Sequence, residues 1–182
     1  MEHSIQLSLT VNGASVEKPV EPRTHLIDFL RNDLGLTGSH VGCEHGVCGA
    51  CTVLIDGEIV RGCLTLACQT QGAHVQTIEG LTESGVIADL QLAFHQRNAL
   101  QCGYCTPGML ACATALLHEK PDASRAQIRE YLSGNYCRCT GYEAIVDAIE
   151  TTAKNRAAGK SLAAADGSAA ASASGAAAKE AA

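Results

Sequence analysis

Four cysteines in the first half of the chain have the spacing of a metal-binding loop. Three of them follow one another as C-x4-C-x2-C, and the fourth comes after a predicted hairpin. They are Cys43, Cys48, Cys51 and Cys63. This spacing is typical of the loop that holds one [2Fe–2S] cluster. Glycines such as Gly46 and Gly49 in the same loop let the backbone bend closely around a cluster and aim its amide N–H groups at the sulfurs.

Zinc is the alternative occupant of such a set, because four thiolates also suit Zn²⁺. Zinc sites usually use two paired cysteine knuckles, whereas here three cysteines crowd one glycine-rich loop. The spacing is that of plant-type ferredoxins and therefore favours a [2Fe–2S] cluster over zinc.

A second set of four cysteines lies in the second half of the chain, as one C-x2-C pair and one C-x-C pair. They are Cys102, Cys105, Cys137 and Cys139. Thr106-Pro107 after the first pair predicts a helix start, with Thr106 as the N-cap, and Thr140 with Glu143 predicts a capping box after the second. Helix N-termini favour thiolates and a negatively charged cluster. Zinc and a thioredoxin-type redox C-x2-C remain alternatives, although C-x-C suits a single tetrahedral ion poorly and no βαβ pattern surrounds the set.

The other candidate residues indicate no bond-making chemistry. Cys68 and Cys112 lie in apolar, periodic surroundings and are predicted to be buried free thiols. His45, inside the first loop, is either solvated or tunes a cluster potential. The sequence contains no recognisable Ser-His-Asp arrangement, phosphate-binding glycine loop or pair of catalytic carboxylates.

The elements that must position these cysteines predict an α+β protein in two domains. Residues 1–79 alternate as short strands, with hairpin turns at Asn12-Gly13 and Asp56-Gly57. Residues 80–158 have helical periodicity and predict four helices in a compact bundle, one of them opened by a capping box of Ser124 and Gln127. Residues 159–182 are rich in Ala, Ser and Gly and predict a disordered tail without a role in the chemistry.

The charge and the hydrophobic pattern of the sequence argue against nucleic acid and a membrane as partners. The chain has 182 residues, a formal net charge of −6 and no basic patch, which argues against nucleic acid. No apolar run is long enough to span a membrane, and the N-terminus does not resemble a signal peptide. These features predict a cytoplasmic protein, where structural disulfides are rare, so the ten cysteines are more suited to holding metal.

Four stretches together resemble the iron–sulfur subunit of the molybdenum hydroxylase, or xanthine oxidase, family. They are VGCEHGVCGACTV (41–53), GCLTLA (62–67), LQCGYCTPGM (100–109) and GNYCRCTGY (134–142). The resemblance runs from about residue 4 to residue 156 and is to the small subunit of three-subunit members, such as carbon monoxide dehydrogenase, 4-hydroxybenzoyl-CoA reductase and N-heterocycle dehydrogenases.

The resemblance implies a ferredoxin-like β-grasp domain followed by a four-helix bundle domain, each holding one [2Fe–2S] cluster on its four cysteines. It also implies that Gln101 and Cys139 contact the pterin cofactor of a large molybdopterin-binding subunit. Electrons would pass from molybdenum through the helical-domain cluster and then the ferredoxin-like cluster to FAD on a medium subunit, in a dimer of heterotrimers. The chain itself would have no catalytic residue.

Two other classes of protein remain as alternatives: a freestanding two-cluster ferredoxin and a zinc-stabilised interaction module. The Gln101-Cys102 and Cys137-Arg138-Cys139 motifs favour the molybdenum hydroxylase family over both, because that family uses them beside a pterin. A periplasmic relative exported with a partner's signal is an alternative to the cytoplasmic arrangement.

Overall fold

The computed structural model describes residues 4–160, so most of the predicted tail lies outside the described residues. The chain begins with a β-hairpin of β1 (Ile5–Val11) and β2 (Ala14–Val20). Its turn residues Asn12 and Gly13 both have positive φ, at 51° and 84°, as a two-residue hairpin turn of the favoured twist requires. The prediction of a hairpin at this dipeptide is confirmed.

Three more strands complete one mixed sheet. They are β3 (Thr52–Ile55), β4 (Glu58–Arg61) and β5 (His74–Gln76). The strand order is β2-β1-β5-β3-β4, with β1 and β5 parallel and the other neighbouring pairs antiparallel. A short helix, α1 (Leu26–Asp28), continues as a π-helical turn (Phe29–Asp33) and buries Leu26, Phe29 and Leu30 against the inner face of the sheet.

From Ile78 onward, the regular structure of the described chain is helical. Its helices are α2 (Ile78–Glu83), α3 (Ala88–Gln96), α4 (Thr106–Glu119), α5 (Arg125–Tyr131) and α6 (Glu143–Ala157). α6 packs against α3 and α5, while α4 packs against α2 and α5, around a common apolar core. The fold is thus α+β, as predicted. Within residues 4–160, no helix is both long enough and apolar enough to cross a bilayer.

The sheet and the helices share a close contact between β3–β4 and α4. Leu54 of β3 belongs to the helical core. A Cβ atom added to Gly108 of α4 would lie 2.4 Å from the carbonyl oxygen of Gly49, so only glycine permits this approach. The first cysteine loop therefore rests directly on the first turns of α4.

Of the three helix starts predicted from the sequence, one agrees with the structure and two differ from it. Ser124 and Gln127 form a capping box at the start of α5, as predicted. Thr106 was predicted as the N-cap of α4, but that position is occupied by Cys105. The predicted capping box of Thr140 and Glu143 is also wrong, because Tyr142, with φ +68°, is the N-cap of α6.

An ion pair between α3 and α6 gives a test of this packing. The guanidinium of Arg156 binds both carboxylate oxygens of Asp89 at 2.7 Å, and these bonds lower the pKa of Asp89. We expect Asp89→Asn to lower the free energy of unfolding by about 1 kcal/mol, as for a favourable partly exposed pair. Since the carboxyl has its lower pKa in the folded state, the stabilisation is present above its unfolded pKa and is lost as the pH falls below about 4.

Urea unfolding of wild type and Asp89→Asn at about pH 7 and about pH 3 measures this difference. Arg23→Met is the control, because the pair of Arg23 and Glu21 is largely solvated and should contribute little. An equal loss of stability in Asp89→Asn at both pH values would contradict the assignment.

Candidate metal centres

The first four cysteines converge because a hairpin and a tight loop face each other. The irregular loop before β3 carries Cys43 and Cys48, and positive φ angles at Glu44, Gly46 and Gly49 fold it back on itself. The other two cysteines flank the hairpin of β3 and β4. Cys51 immediately precedes β3 and Cys63 follows β4, so the antiparallel pairing holds them side by side.

The sulfurs of this set differ in electrostatic environment. The N–H of Cys48 lies 3.3 Å from the Cys43 sulfur, and backbone N–H groups, first that of Cys48 and then that of His45, lower the pKa of Cys43 to about 6. Burial raises the pKa of Cys51 to about 11. Cys51 is almost fully buried with Cys63 against Ile27. The environment of Cys43 therefore stabilises a thiolate, whereas Cys51 and Cys63 are shielded from water.

The second four cysteines also converge. Cys105 is the N-cap of α4, and Cys137 and Cys139 lie in the turn before α6. The sulfurs of Cys102 and Cys139 are 3.5 Å apart. Burial raises the pKa of Cys105 to about 12, and the neighbouring sulfur of Cys137 contributes in the same direction.

Thr140 lies two residues before the N-cap of α6, and its side chain bonds a cysteine of the second set. Its hydroxyl donates a hydrogen bond to the Cys137 sulfur at 3.0 Å, and its N–H lies 3.4 Å from the same sulfur. Burial alone would raise the pKa of Cys137, but these two donors outweigh it and the pKa is lowered. The N–H of Cys137 in turn donates to the hydroxyl of Tyr142 at 2.9 Å. The same Thr140 oxygen accepts the N–H of Tyr142 at 3.2 Å, so this hydroxyl bonds a sulfur and the backbone just before α6.

The arrangement of sulfurs fits a two-iron cluster. Each thiol interacts most with one neighbour, and weaker charge interactions join these pairs within each set. The pairs are Cys43 with Cys48, Cys51 with Cys63, Cys105 with Cys137, and Cys102 with Cys139. A [2Fe–2S] cluster has two irons, each with two protein ligands. Within residues 4–160, no three Cys, His, Asp or Glu side chains gather as they would around a single metal ion. Gly42 leaves room beside the first set, since a Cβ there would lie 3.1 Å from the Cys48 sulfur.

Comparison with known proteins agrees with this geometry. A family model described as "2Fe-2S iron-sulfur cluster binding domain" matches residues 9–72, and one described as "[2Fe-2S] binding domain" matches residues 77–150. Caffeine dehydrogenase subunit gamma of Pseudomonas sp. (strain CBB1) is 51% identical, over 85% of this chain and 95% of its own. The nicotine 6-hydroxylase small subunit of Paenarthrobacter nicotinovorans is 50% identical, over 80% of this chain and 87% of its own.

Solved structures give the same result. A chain of quinoline 2-oxidoreductase from Pseudomonas putida 86 has a TM-score of 0.80 at 50% identity, covering 86% of this chain and 98% of its own. The aldehyde oxidoreductase of Desulfovibrio gigas has a TM-score of 0.78 at 41% identity, covering 86% of this chain and 18% of its own longer one. The chain belongs to the small iron–sulfur subunits of the molybdenum hydroxylase family.

Membership in this family confirms three predictions. This iron–sulfur subunit has two [2Fe–2S] domains, it is part of an oxidoreductase complex, and its family is the one that the four motifs resemble. Which residues bind each cluster, and whether Gln101 and Cys139 touch a pterin, stay predictions. Gln101, Cys102 and Cys139 are all exposed, so this edge of the second set is open to a partner.

The two cysteines outside the sets behave differently from each other. Cys112 is fully buried, as predicted, and its thiol donates to the Oδ1 of Asn135 at 3.1 Å. Cys68 was predicted to be buried, but it is only partly so, and its thiol lies 3.4 Å from the carbonyl oxygen of Pro22. The short 3-10 helix (Ala67–Thr70) buries Ala67 and Thr70 instead. His45 is exposed, and its ring bonds the carbonyl of Cys43.

Sequence reasoning missed an aromatic contact between the two cysteine loops. Tyr104, inside the Cys102–Cys105 loop, stacks on His40 with ring centroids 4.5 Å apart. Its hydroxyl donates to the carbonyl of Val41 at 2.5 Å, and its own carbonyl bonds the ring of His40 at 2.8 Å. No spacing rule identifies this pair, because the partners are 64 residues apart.

The pKa difference within the first set is testable in the chain before cluster assembly. We expect Cys43 to be alkylated by iodoacetamide with a midpoint near pH 6, because only the thiolate reacts. Cys51 should stay largely unreacted up to about pH 9, because it is buried and protonated. Peptide mass spectrometry across a pH series measures both.

Cys68, which lies outside both sets and is partly exposed, serves as the reference for accessibility to the reagent. A Cys43 profile that does not begin to rise until the pH at which Cys51 reacts would contradict the assigned environment.

Proposed function

We propose that this subunit conducts electrons, one at a time, from the molybdopterin centre of a large partner subunit to FAD on a medium partner subunit. The conductors are two [2Fe–2S] clusters, one held by Cys43, Cys48, Cys51 and Cys63, and the other by Cys102, Cys105, Cys137 and Cys139. The observation that carries the proposal is that sulfurs of each set lie together and that a backbone hydrogen bond from Tyr136 to Cys48 joins the two sets. When bound, each cluster takes up and releases one electron.

The exposed edges of the two cysteine sets support an electron route in which one edge contacts the electron donor and the other contacts the acceptor. At the second set, Gln101 and Cys139 face outward, where the pterin of the large subunit would meet them. At the first set, Val47 and Leu64 are 43% and 60% exposed although both are apolar. Exposed apolar residues beside a redox site suit a contact with a protein partner. We assign this second edge to the FAD subunit.

Hydrogen-bond donors around the sulfurs support reversible reduction. The N–H of Cys48 and the hydroxyl of Thr140 each point at a sulfur, and such donors stabilise the additional negative charge of a reduced cluster. In this proposal the chain performs no bond-making chemistry itself. Its residues hold, orient and shield the conductors.

The proposal extends to domain boundaries and assembly. Residues 1–79 would form the ferredoxin-like β-grasp domain and residues 80–158 the other cluster domain, with α3 to α6 as its four-helix bundle. The subunit would assemble in the cytoplasm as part of a dimer of heterotrimers. The relatives that share half of its residues are named for caffeine, nicotine and quinoline, which are nitrogen heterocycles, so we propose a substrate of that class for the complex.

Spin counting tests the two-cluster proposal. The dithionite-reduced chain should give two distinct S = ½ EPR signals that together integrate to about two spins. Cys48→Ser should remove one signal and Cys102→Ser the other, because each variant lacks one sulfur of a different set. Cys68→Ser is the matched control and should keep both signals.

A colourless chain with stoichiometric zinc would contradict the proposal and favour the zinc-stabilised module. Two clusters in a chain that neither binds nor reduces an FAD partner would favour the freestanding ferredoxin. Both outcomes can be distinguished by metal analysis and by reconstitution with the partner subunits.

The Thr140 hydroxyl predicts a specific change in reduction potential. Thr140→Val should make the potential of the cluster on the second set more negative, because a hydrogen bond that stabilises the reduced form is lost. The cluster on the first set should keep its potential. A redox titration followed by EPR separates the two signals.

Thr106→Val is the control, because Thr106 follows Cys105 in the chain and its buried hydroxyl has no hydrogen-bond partner among the described residues. Equal shifts in both variants would indicate a general effect of the methyl group rather than the loss of the sulfur hydrogen bond.

A further inference from the structure

The two cysteine loops meet at a polar joint that neither the motifs nor the family comparison predicts. The joint consists of Arg61, the last residue of β4, and Asn135, which lies two residues before Cys137. We propose that Arg61 and Asn135 are positioning residues that fix the separation and orientation of the two clusters. The inference rests on the proposed function, since it needs both sites to be occupied.

Arg61 links the sheet to the turn before α6. Its guanidinium donates to the carbonyl of Gly134 at 2.8 Å, to the Oδ1 of Asn135 at 3.1 Å and to the hydroxyl of Thr52. All three acceptors are neutral oxygens. Because Arg61 is separated from Cys63 only by Gly62, the side chain connects the hairpin that carries two sulfurs of the first set to the segment that carries Cys137.

Asn135 completes the joint from the other side. Its side chain is buried, with 2% of the residue exposed, and its Nδ2 donates to the carbonyl of Gly49 at 3.2 Å. Gly49 lies between Cys48 and Cys51 in the first loop. The side-chain amide of Asn135 therefore bonds the loop of the first set, although Asn135 itself belongs to the segment that carries Cys137 of the second set. A buried amide with both ends bonded is held in a single orientation, because leaving either end unpaired is unfavourable.

The joint surrounds a direct backbone contact between the two sets. The N–H of Tyr136 donates to the carbonyl of Cys48 at 2.8 Å, and Tyr136 is bonded covalently to Cys137. The backbones approach closely here, since a Cβ on Gly49 would lie 2.6 Å from the carbonyl of Gly134. A cysteine of the first set is thus one hydrogen bond and one residue away from a cysteine of the second set.

The charge of Arg61 suits this place. Two reduced clusters and their thiolates are negatively charged and repel each other. The guanidinium lies at the joint between their loops without a carboxylate partner in the hydrogen bonds that it makes, so its positive charge remains available to offset that repulsion. Asn135 carries no charge, so substituting it tests positioning separately from electrostatics.

Magnetic coupling between the clusters is the readout. Two reduced clusters split each other's EPR lines through a dipolar interaction that falls with the cube of their distance. In the complex with its partner subunits, Arg61→Met and Asn135→Ala should both reduce or broaden this splitting while the signals still integrate to two spins. Hydrogen exchange of the peptide containing Tyr136 should become faster in both variants, because the bond to Cys48 is no longer held.

Arg156→Met is the matched control, since it removes an arginine that bonds α6 to α3 away from the joint. It should lower the melting temperature but leave the splitting unchanged. Unchanged splitting at two spins in both joint variants would overturn this role and leave the proposed function intact. A wild-type chain without two clusters would overturn both. If Arg61→Met loses a cluster, Asn135→Ala decides the question.

Discussion

Mutual repulsion among thiolates is the constraint on which the rest of this structure depends. In a loaded site, iron would offset most of the charge of four thiolates, and the protein adds positive dipoles and excludes competing water. The first set meets this condition with a loop whose N–H groups turn inward, so that Cys43 has a low pKa. The second set meets it at Cys137, whose sulfur faces the hydroxyl and the N–H of Thr140. The sheet half of the fold thus positions the first set, and the helical half positions the second.

The hairpin and the helices bring cysteines together in different ways. A hairpin places residues at its two open ends side by side, so Cys51 and Cys63 meet although twelve positions separate them along the chain. A helix N-terminus offers unpaired N–H groups over only one turn, so cysteines must approach it within a few residues. That limit agrees with the compact C-x2-C and C-x-C spacings of the second set.

Much of this fold could be predicted from local sequence, because the signals involved act over a few residues. Asn12-Gly13 specifies its turn through backbone conformation alone, and Ser124 with Gln127 caps a helix without long-range help. Thr140 shows where such reasoning stops. Its capping motif is present in the sequence, but Gly141 and Tyr142 both have positive φ, so α6 begins later and Thr140 lies outside it. Cys68 is only partly buried for a related reason, because apolar neighbours in sequence do not determine which face of a short 3-10 helix turns inward.

Contacts between the two halves could not be predicted at all, because they depend on partners far apart in the chain. Gly49 and Gly108 look in the sequence like ordinary flexible residues, yet each is required by the close approach of another backbone. Arg61 looks like a solvated charge at a strand end, yet it bonds a segment 73 residues away. An electron carrier needs its two sites to be near each other and also open to separate partners. Small residues bring the two sites together without covering the outer edges, and Arg61 and Asn135 bond backbone carbonyls that this close contact buries. A bulkier interface would hold the halves equally well, but it would occupy the surface through which electrons enter and leave.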